Sequence, residues 1–211
     1  MDCVEGKDLY QANYTVSTED IKFLAKQAAL INLLNHKPKF IHDSWSIINF
    51  ENEFSEKSQY LSREDFDILS QLKEEFTNCN IVQLPHAFVH GDIISPNVMR
   101  DVKGMLWIID FSVANYYPRI QELAILACDI LFDKNNPTKS EGDFKIALEE
   151  YQKYIKLTSK ELEVLPLYIK FAHAMHVLLA THQKIVKKND SEENEYFLEL
   201  GRAGIRQTIN I

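Results

Sequence analysis

The sequence predicts a mainly helical domain with a small β-hairpin insert near its middle. Apolar residues recur at helical spacing along both flanks of the chain. Two short apolar runs bracket a turn between residues 97 and 109. Glycine and proline are scarce, six of each in 211 residues, so few flexible linkers are expected. No repeat or low-complexity tract interrupts the pattern.

Residues 1–16 read as an irregular or extended opening segment. Ser17 and Thr18, followed by Glu19 and Asp20, form a helix-start signal. Ile21, Leu24, Ala25, Ala28, Ile31 and Leu34 then follow helical spacing until Pro38 stops the helix. Residues 40–61 read as loop with short turns. Ser62 and Asp65 open a second helix whose face carries Phe66, Leu69, Leu72 and Phe76. Ala87-Phe88-Val89-His90 is a short apolar run. Asn97-Val98-Met99-Arg100 and Leu106-Trp107-Ile108-Ile109 flank Asp101-Val102-Lys103-Gly104, a hairpin pattern. Helices are expected again over about 119–132, 141–156, 159–188 and 191–209, with Pro166 kinking or dividing the third. Trp45 and Trp107 are expected in the core.

Apolar residues make up 45% of the chain, enough for a core and too many for a disordered chain. The formal net charge of −8 argues against a nucleic-acid partner, which usually selects a basic excess. It is compatible with a cationic small substrate, and equally with an ordinary solvated surface. Cys3, Cys79 and Cys128 form no C-x-x-C pair and no zinc spacing, so reduced thiols in a cytoplasmic setting are expected. The first residues lack a basic segment followed by an apolar run, so no signal peptide is expected. The apolar run Phe171 to Ala180 is too short to span a bilayer, and no membrane partner is expected.

Chemistry concentrates in His90-Gly91-Asp92-Ile93-Ile94-Ser95-Pro96-Asn97, followed by Ile108-Ile109-Asp110-Phe111. Phosphoryl transfer needs a carboxylate to orient the attacking hydroxyl and take its proton. It also needs hard oxygen ligands for Mg²⁺ on the nucleotide phosphates. Asp92 offers the base. Asn97 offers a carbonyl oxygen across a tight turn, and Asp110 offers a carboxylate at the end of the second hairpin strand. A hairpin between them returns both oxygens to one end of the sheet. The bland alternative, that Asp92 and Asn97 merely cap loop turns, leaves the second Asp at the end of an apolar strand unexplained.

The H-G-D-x-x-x-x-N run, the hairpin and I-D-F together resemble the catalytic loop and metal-binding segment of the aminoglycoside phosphotransferase and choline kinase-like family. They are similar to the H-R-D-x-x-x-x-N and D-F-G set of protein kinases, with Gly91 where those have Arg. The resemblance implies the helical C-terminal lobe of a protein kinase-like (α+β) fold. It implies Asp92 as catalytic base, Asn97 and Asp110 as metal and cofactor ligands, ATP or GTP with Mg²⁺ as cofactors, and a small-molecule hydroxyl acceptor. Arg119-Ile120-Gln121-Glu122-Leu123-Ala124 also resembles the family's segment after the metal site, where Asp-Leu-Ala is common. Glu122 stands in place of that Asp, so no role is carried over to it.

The family's N-terminal β lobe, with a phosphate-covering loop and a strand Lys, has no counterpart here. Glycines 6, 91, 104, 142, 201 and 204 make no phosphate-cradling loop. Val4-Glu5-Gly6-Lys7-Asp8-Leu9 resembles the linker between lobes instead. Residues 1–16 are therefore expected as a hinge-like segment and 17–211 as a helical catalytic lobe with β hairpins at about 86–110. A missing N-terminal lobe would leave the isolated chain poorly active. It would also bare a face carrying Phe88, Ile93, Ile94 and Ile108, open to a homo-oligomer or a separate chain. Two function classes follow: a phosphotransferase lobe acting on a small metabolite or antibiotic, or a non-catalytic, truncated or degenerate kinase-fold binding module. His173 and His176 read as packing or surface residues rather than metal ligands, and His90 as a brace of the catalytic loop. Tyr116 and Tyr117 are equally placed to border the substrate or to pack in the core. Glu149, Glu150 and residues 191–195 read as solvated helix surface.

Overall fold

Five of the helices start where the sequence supplies a side-chain cap. In the computed structural model, which describes residues 4–207, the seven helices are α1 (Thr18–Asn32), α2 (Phe50–Lys57), α3 (Arg63–Asn78), α4 (Ile120–Cys128), α5 (Pro137–Tyr151), α6 (Ser159–Val186) and α7 (Glu192–Ile205). Ser17 and Asp20 form a capping box on α1, Ser62 Oγ accepts from Asp65 N on α3, and Thr158 and Glu161 form a second capping box on α6. Ser191 caps α7, ahead of Glu192, Glu193 and Glu195 in its first turn. The last four of the proposed 191–209 helix positions, from Arg206 on, lie beyond α7, and residues 208 and 209 fall outside the described residues, as does Cys3.

Five short strands fill the middle and the opening: β1 (Gly6–Asp8), β2 (His86–Val89), β3 (Val98–Asp101), β4 (Leu106–Ile108) and β5 (Asn115–Pro118). β3 and β4 are the expected hairpin, with Gly104 at φ +85° in its turn. The opening segment adds β1 to the free edge of β3, so the sheet order is β1-β3-β4, all antiparallel. β2 pairs antiparallel with β5 in a separate ribbon. Asn32 ties this ribbon to the helices: its amide donates to Phe88 O at 2.9 Å and its oxygen accepts from Tyr151 Oη at 2.6 Å.

α6 is the centre of the core. Phe171 meets Phe50 and Phe76 with ring centroids 5.8 and 5.0 Å apart, and Tyr168 is fully buried beside it. By length and composition α6 is apolar enough to cross a membrane, but 83% of its most apolar window is buried inside the protein, which makes it a core helix. Pro166 neither divides it nor ends it; the helix runs unbroken through 28 residues, held on several sides by α2, α3, α4 and α7. α7 approaches it closely at Gly201 and Gly204, where an added Cβ would meet His173 O at 2.7 Å and the His173 ring at 2.2 Å.

Several expectations need correction. Residues 40–61 are not loop throughout, because Phe50 and Phe54 bury one face of α2; the helix is short and Asn49 makes no side-chain cap, so its signal was weak. α1 ends at Asn32, well before Pro38, where Asn32 turns its side chain into the core and Leu33 and Leu34 lie exposed. On α3, Phe66 is exposed and Asp65 is buried in its place, paired with Arg202 at 2.8 Å. Trp107 is 43% exposed and donates to Asp101 Oδ2 at 3.0 Å, and Trp45 is only half-buried. The face expected to be bare is largely packed: Phe88 and Ile93 are buried, and Ile94 and Ile108 lean on the core.

Candidate active site

β2 ends at Val89 and delivers His90, Gly91 and Asp92 into a loop that cannot wander. Gly91 sits at φ +83°, a conformation that favours glycine. His90 is fully buried: its Nε2 donates to Ile109 O at 2.9 Å, and its Nδ1 accepts from Asp92 N at 3.2 Å. This pattern fixes the neutral Nε2–H tautomer, in keeping with burial holding the imidazole below its ordinary pKa. His90 therefore braces the loop against the strand that carries Asp110, as the sequence suggested.

α4 clamps the same loop at both ends. Glu122, in its first turn and fully buried, accepts from the His90 backbone N–H through Oε1 and from Gly91 N through Oε2 at 3.3 Å. Asp129, the C-cap of α4, accepts from Ser95 N at 2.6 Å and from Ser95 Oγ. Burial pushes the Glu122 carboxyl up, while the two backbone N–H groups oppose this and favour the ionised form. Both of its oxygens accept, so this geometry holds the carboxylate. Sequence reasoning gave Glu122 no role and did not find Asp129. The signals available for Glu122 were its register at the start of an apolar helix and its place in the segment that resembles the family's Asp-Leu-Ala stretch.

Asp92 and Asn97 meet across the loop. Asn97 Nδ2 donates to Asp92 Oδ2 at 2.6 Å and to Asp92 O at 3.0 Å. The Asn97 amide oxygen makes no hydrogen bond among the described residues. Burial pushes the Asp92 carboxyl up to about 7, with the Asp43 charge adding to it and Asn97 opposing. Ile109 N donates to Asn97 O at 3.0 Å, which sets Asp110 beside Asn97 across the hairpin mouth. Asp110 is exposed, adopts φ +64°, and accepts from Ser112 N at 3.1 Å; Ser112 holds its carboxyl below the ordinary range.

The three predicted residues thus lie around one loop and one strand end. Asp110 and Asn97 offer a carboxylate and a free amide oxygen, a donor set that suits Mg²⁺ sharing its shell with phosphates and water. Among the described residues no group of three or more His, Cys, Asp or Glu is arranged to hold a metal. His173 and His176 are buried, as packing residues should be, and burial lowers their pKa values to about 3 and about 4. Tyr117 packs in the core, and Tyr116 lies against His86 and Lys37.

A helix-rich body, a small antiparallel hairpin and a braced loop between them define the α-rich region of a protein kinase-like fold. A sequence model described as the phosphotransferase enzyme family (APH) matches residues 1–155, and the chain belongs to that family. A search of curated protein sequences gave no significant match. Among solved structures, a choline/ethanolamine kinase family protein from Mesorhizobium loti aligns with TM-score 0.66 at 13% identity, covering 92% of this chain and 67% of that one. Choline kinase LicA from Streptococcus pneumoniae aligns with TM-score 0.64 at 11% identity, covering 97% and 67%. The amicoumacin kinase hAmiN, in complex with AMP-PNP and Ca²⁺, aligns with TM-score 0.63 at 16% identity, covering 99% and 65%. At these identities the likeness is one of fold. The chain spans about two thirds of the length of these structures. Family and fold together support a phosphotransferase function on small molecules.

Proposed function

We propose that this chain carries the catalytic loop of a nucleotide-dependent small-molecule kinase. Asp92 accepts the proton of the acceptor hydroxyl as it attacks the γ-phosphate of ATP or GTP. Asn97 and Asp110 hold the Mg²⁺ that neutralises the nucleotide phosphates. The observation that carries this reading is the Asp92–Asn97 pair, in which the amide nitrogen of Asn97 is spent on Asp92 and its amide oxygen accepts no hydrogen bond among the described residues. A carboxyl near neutrality suits a general base at working pH. A shallow apolar groove of Phe23, Ile31, Leu106, Ile108 and Phe111 lies along the hairpin beside Asp110, a surface suited to a nucleobase. The nucleotide analogue bound by hAmiN supports the same assignment by analogy. A nucleotide-dependent reaction and the buried free thiols of Cys79 and Cys128 fit a cytoplasmic setting.

The test is Asp92→Asn in the natural full-length polypeptide. Phosphoryl transfer should fall by about 10² or more, the scale of general-base catalysis, while nucleotide affinity stays within a factor of two or three. Turnover like that of the unaltered protein refutes Asp92 as the base, whereas no phosphoryl transfer by the unaltered protein itself leaves a non-catalytic binding role as the better reading.

A further inference from the structure

The turn that carries Asn97 has no cap of its own. Ser95, Pro96 and Asn97 form a single 3₁₀ turn, and Ile94, at the N-cap position, offers no side-chain acceptor. The groups a cap would serve are held from a distance instead. Asp129 Oδ1 accepts from Ser95 N at 2.6 Å and from Ser95 Oγ. Ser95 O in turn accepts from Leu9 N at 3.1 Å, which ties the turn to the residue after β1. Every polar group of Ser95 is thus engaged, and the residue lies between Asp92 and Asn97 in the loop. Asp129 is poorly placed for stability. It is 2% exposed and stands at the C-terminal end of α4, where the helix dipole disfavours a negative charge. The Tyr196 hydroxyl on α7 lies beside Asp129 and Ser95, yet Asp129 Oδ2 is buried without a hydrogen-bond partner. A buried carboxylate with one oxygen unsatisfied weakens a fold. Such a residue serves the group it holds rather than the core around it.

We propose that Asp129 is a positioning residue for phosphoryl transfer, which holds Ser95 and so fixes where the turn presents Asn97 to Asp92. The inference rests on Asp92 being the base and deepens that reading. The chain of contacts is short. Asn97 N donates to Ile94 O at 2.9 Å, which closes the turn, and Asn97 Nδ2 then reaches Asp92 Oδ2 at 2.6 Å. Glu122 fixes the loop ahead of Asp92, and Asp129 fixes it behind, about two helical turns further along α4. Asp129 does not line the cavity that Asp43, Trp45 and His176 share with Asp92. Its influence on the reaction therefore passes through Ser95. A catalytic group misplaced by about 1 Å can lose about 10²-fold in rate. Holding Ser95 needs an acceptor oxygen rather than a charge, and an amide at position 129 supplies one.

The experiment measures phosphate release from Mg-ATP with water as the acceptor. It uses the natural full-length polypeptide and its Asp129→Asn, Asp129→Ala and Ser95→Ala variants, each well below its melting temperature. Asp129→Asn keeps an acceptor for Ser95, and its kcat should stay within about threefold of the unaltered value. Asp129→Ala leaves both Ser95 donors unpaired and should lower kcat by about tenfold or more. Its KM for Mg-ATP should stay within about threefold, because Asp110 is not held by Asp129. Ser95→Ala removes one donor and should fall between the two, which carries the test if Asp129→Ala does not fold. Hydrogen exchange read by mass spectrometry should show residues 90–97 losing protection in Asp129→Ala and keeping it in Asp129→Asn. A purely structural role would lower the melting temperature of Asp129→Ala and leave the kcat of the folded protein unchanged, and that result overturns the proposal. Equal loss of kcat in the Asn and Ala variants, or a change confined to KM, overturns it as well. Turnover lost in Asp92→Asn but untouched in Asp129→Ala overturns this proposal alone. Turnover untouched in Asp92→Asn but lost in Asp129→Ala removes Asp92 as the base and leaves the anchor standing. No phosphate release by the unaltered protein overturns both.

Discussion

Glu122→Gln is the change that most directly probes how the catalytic loop is held. In the folded protein both Glu122 oxygens accept from backbone N–H groups, those of His90 and Gly91. Glutamine keeps one acceptor oxygen and turns an NH₂ toward the other N–H, leaving one donor unpaired in a fully buried place. An unsatisfied buried donor costs about 1–3 kcal/mol, and the surviving bond loses its charge assistance, about another 1 kcal/mol. The sum is about 2–4 kcal/mol. For a chain of this size each kcal/mol shifts the melting temperature by about 2–4 °C, so the midpoint should fall by on the order of 10 °C. Urea unfolding followed by circular dichroism measures the difference. Turnover should fall further than stability alone requires, because Asp92 lies directly after the two anchored residues. The reasoning has a sharp failure point. Were Glu122 a neutral acid in the folded state, glutamine would be nearly isosteric with it. A destabilisation under about 0.5 kcal/mol, with unchanged turnover, would refute the ionised clamp.

Asp110→Ala should weaken Mg²⁺-dependent nucleotide binding at least tenfold while leaving binding of the acceptor within twofold; a loss confined to the acceptor contradicts the metal role. Gly204→Ala should destabilise by about 1–3 kcal/mol through overpacking against His173, whereas Gly142→Ala on α5, where an added Cβ meets nothing within 4 Å, should stabilise by about 0.5–1 kcal/mol; thermal melts of the two variants should move in opposite directions. Glu161 pairs with Arg119 through contacts of 2.7 and 2.8 Å; burial pushes its carboxyl up, but the guanidinium and the Thr158 cap outweigh this and hold it below 4.5. The depressed value means the pair's stabilisation is full above about pH 4.5 and is lost as pH falls through the folded value. Glu161→Gln should flatten that acid limb in stability measured from pH 6 to pH 3, and an unchanged slope would count against it.

What the sequence made legible was chiefly local. Ser17, Ser62 and Thr158 announce helices because caps act over three residues, and the β3–β4 hairpin follows from a turn and two apolar runs. Asp92, Asn97 and Asp110 were found together because a single loop and a single hairpin bring them near. What escaped notice depends on distant chain. Asp129 reaches Ser95 across 34 residues of sequence, and Asp43 and His176 share a cavity although a strand ribbon and several helices separate them along the chain. The opening segment reads only as irregular or extended because the three residues of β1 carry no period, and the edge of β3 makes them a strand. Pro166 warned of a break that burial of α6 on several sides overrode.

The left-handed backbone at Asp110 places thermal robustness and chemistry in opposition at one codon. Side chains reach φ +64° at a cost of about 1 kcal/mol relative to glycine. The same conformation at Asn80, which caps a short helical turn, involves no catalytic group. A library screened only for heat resistance would therefore enrich glycine at both positions. It would harvest sturdier proteins from the first that had discarded the carboxylate proposed to hold the nucleotide's metal ion, and from the second sturdier proteins with that carboxylate in place. Any stabilisation campaign on this scaffold should hold position 110 fixed and leave position 80 free.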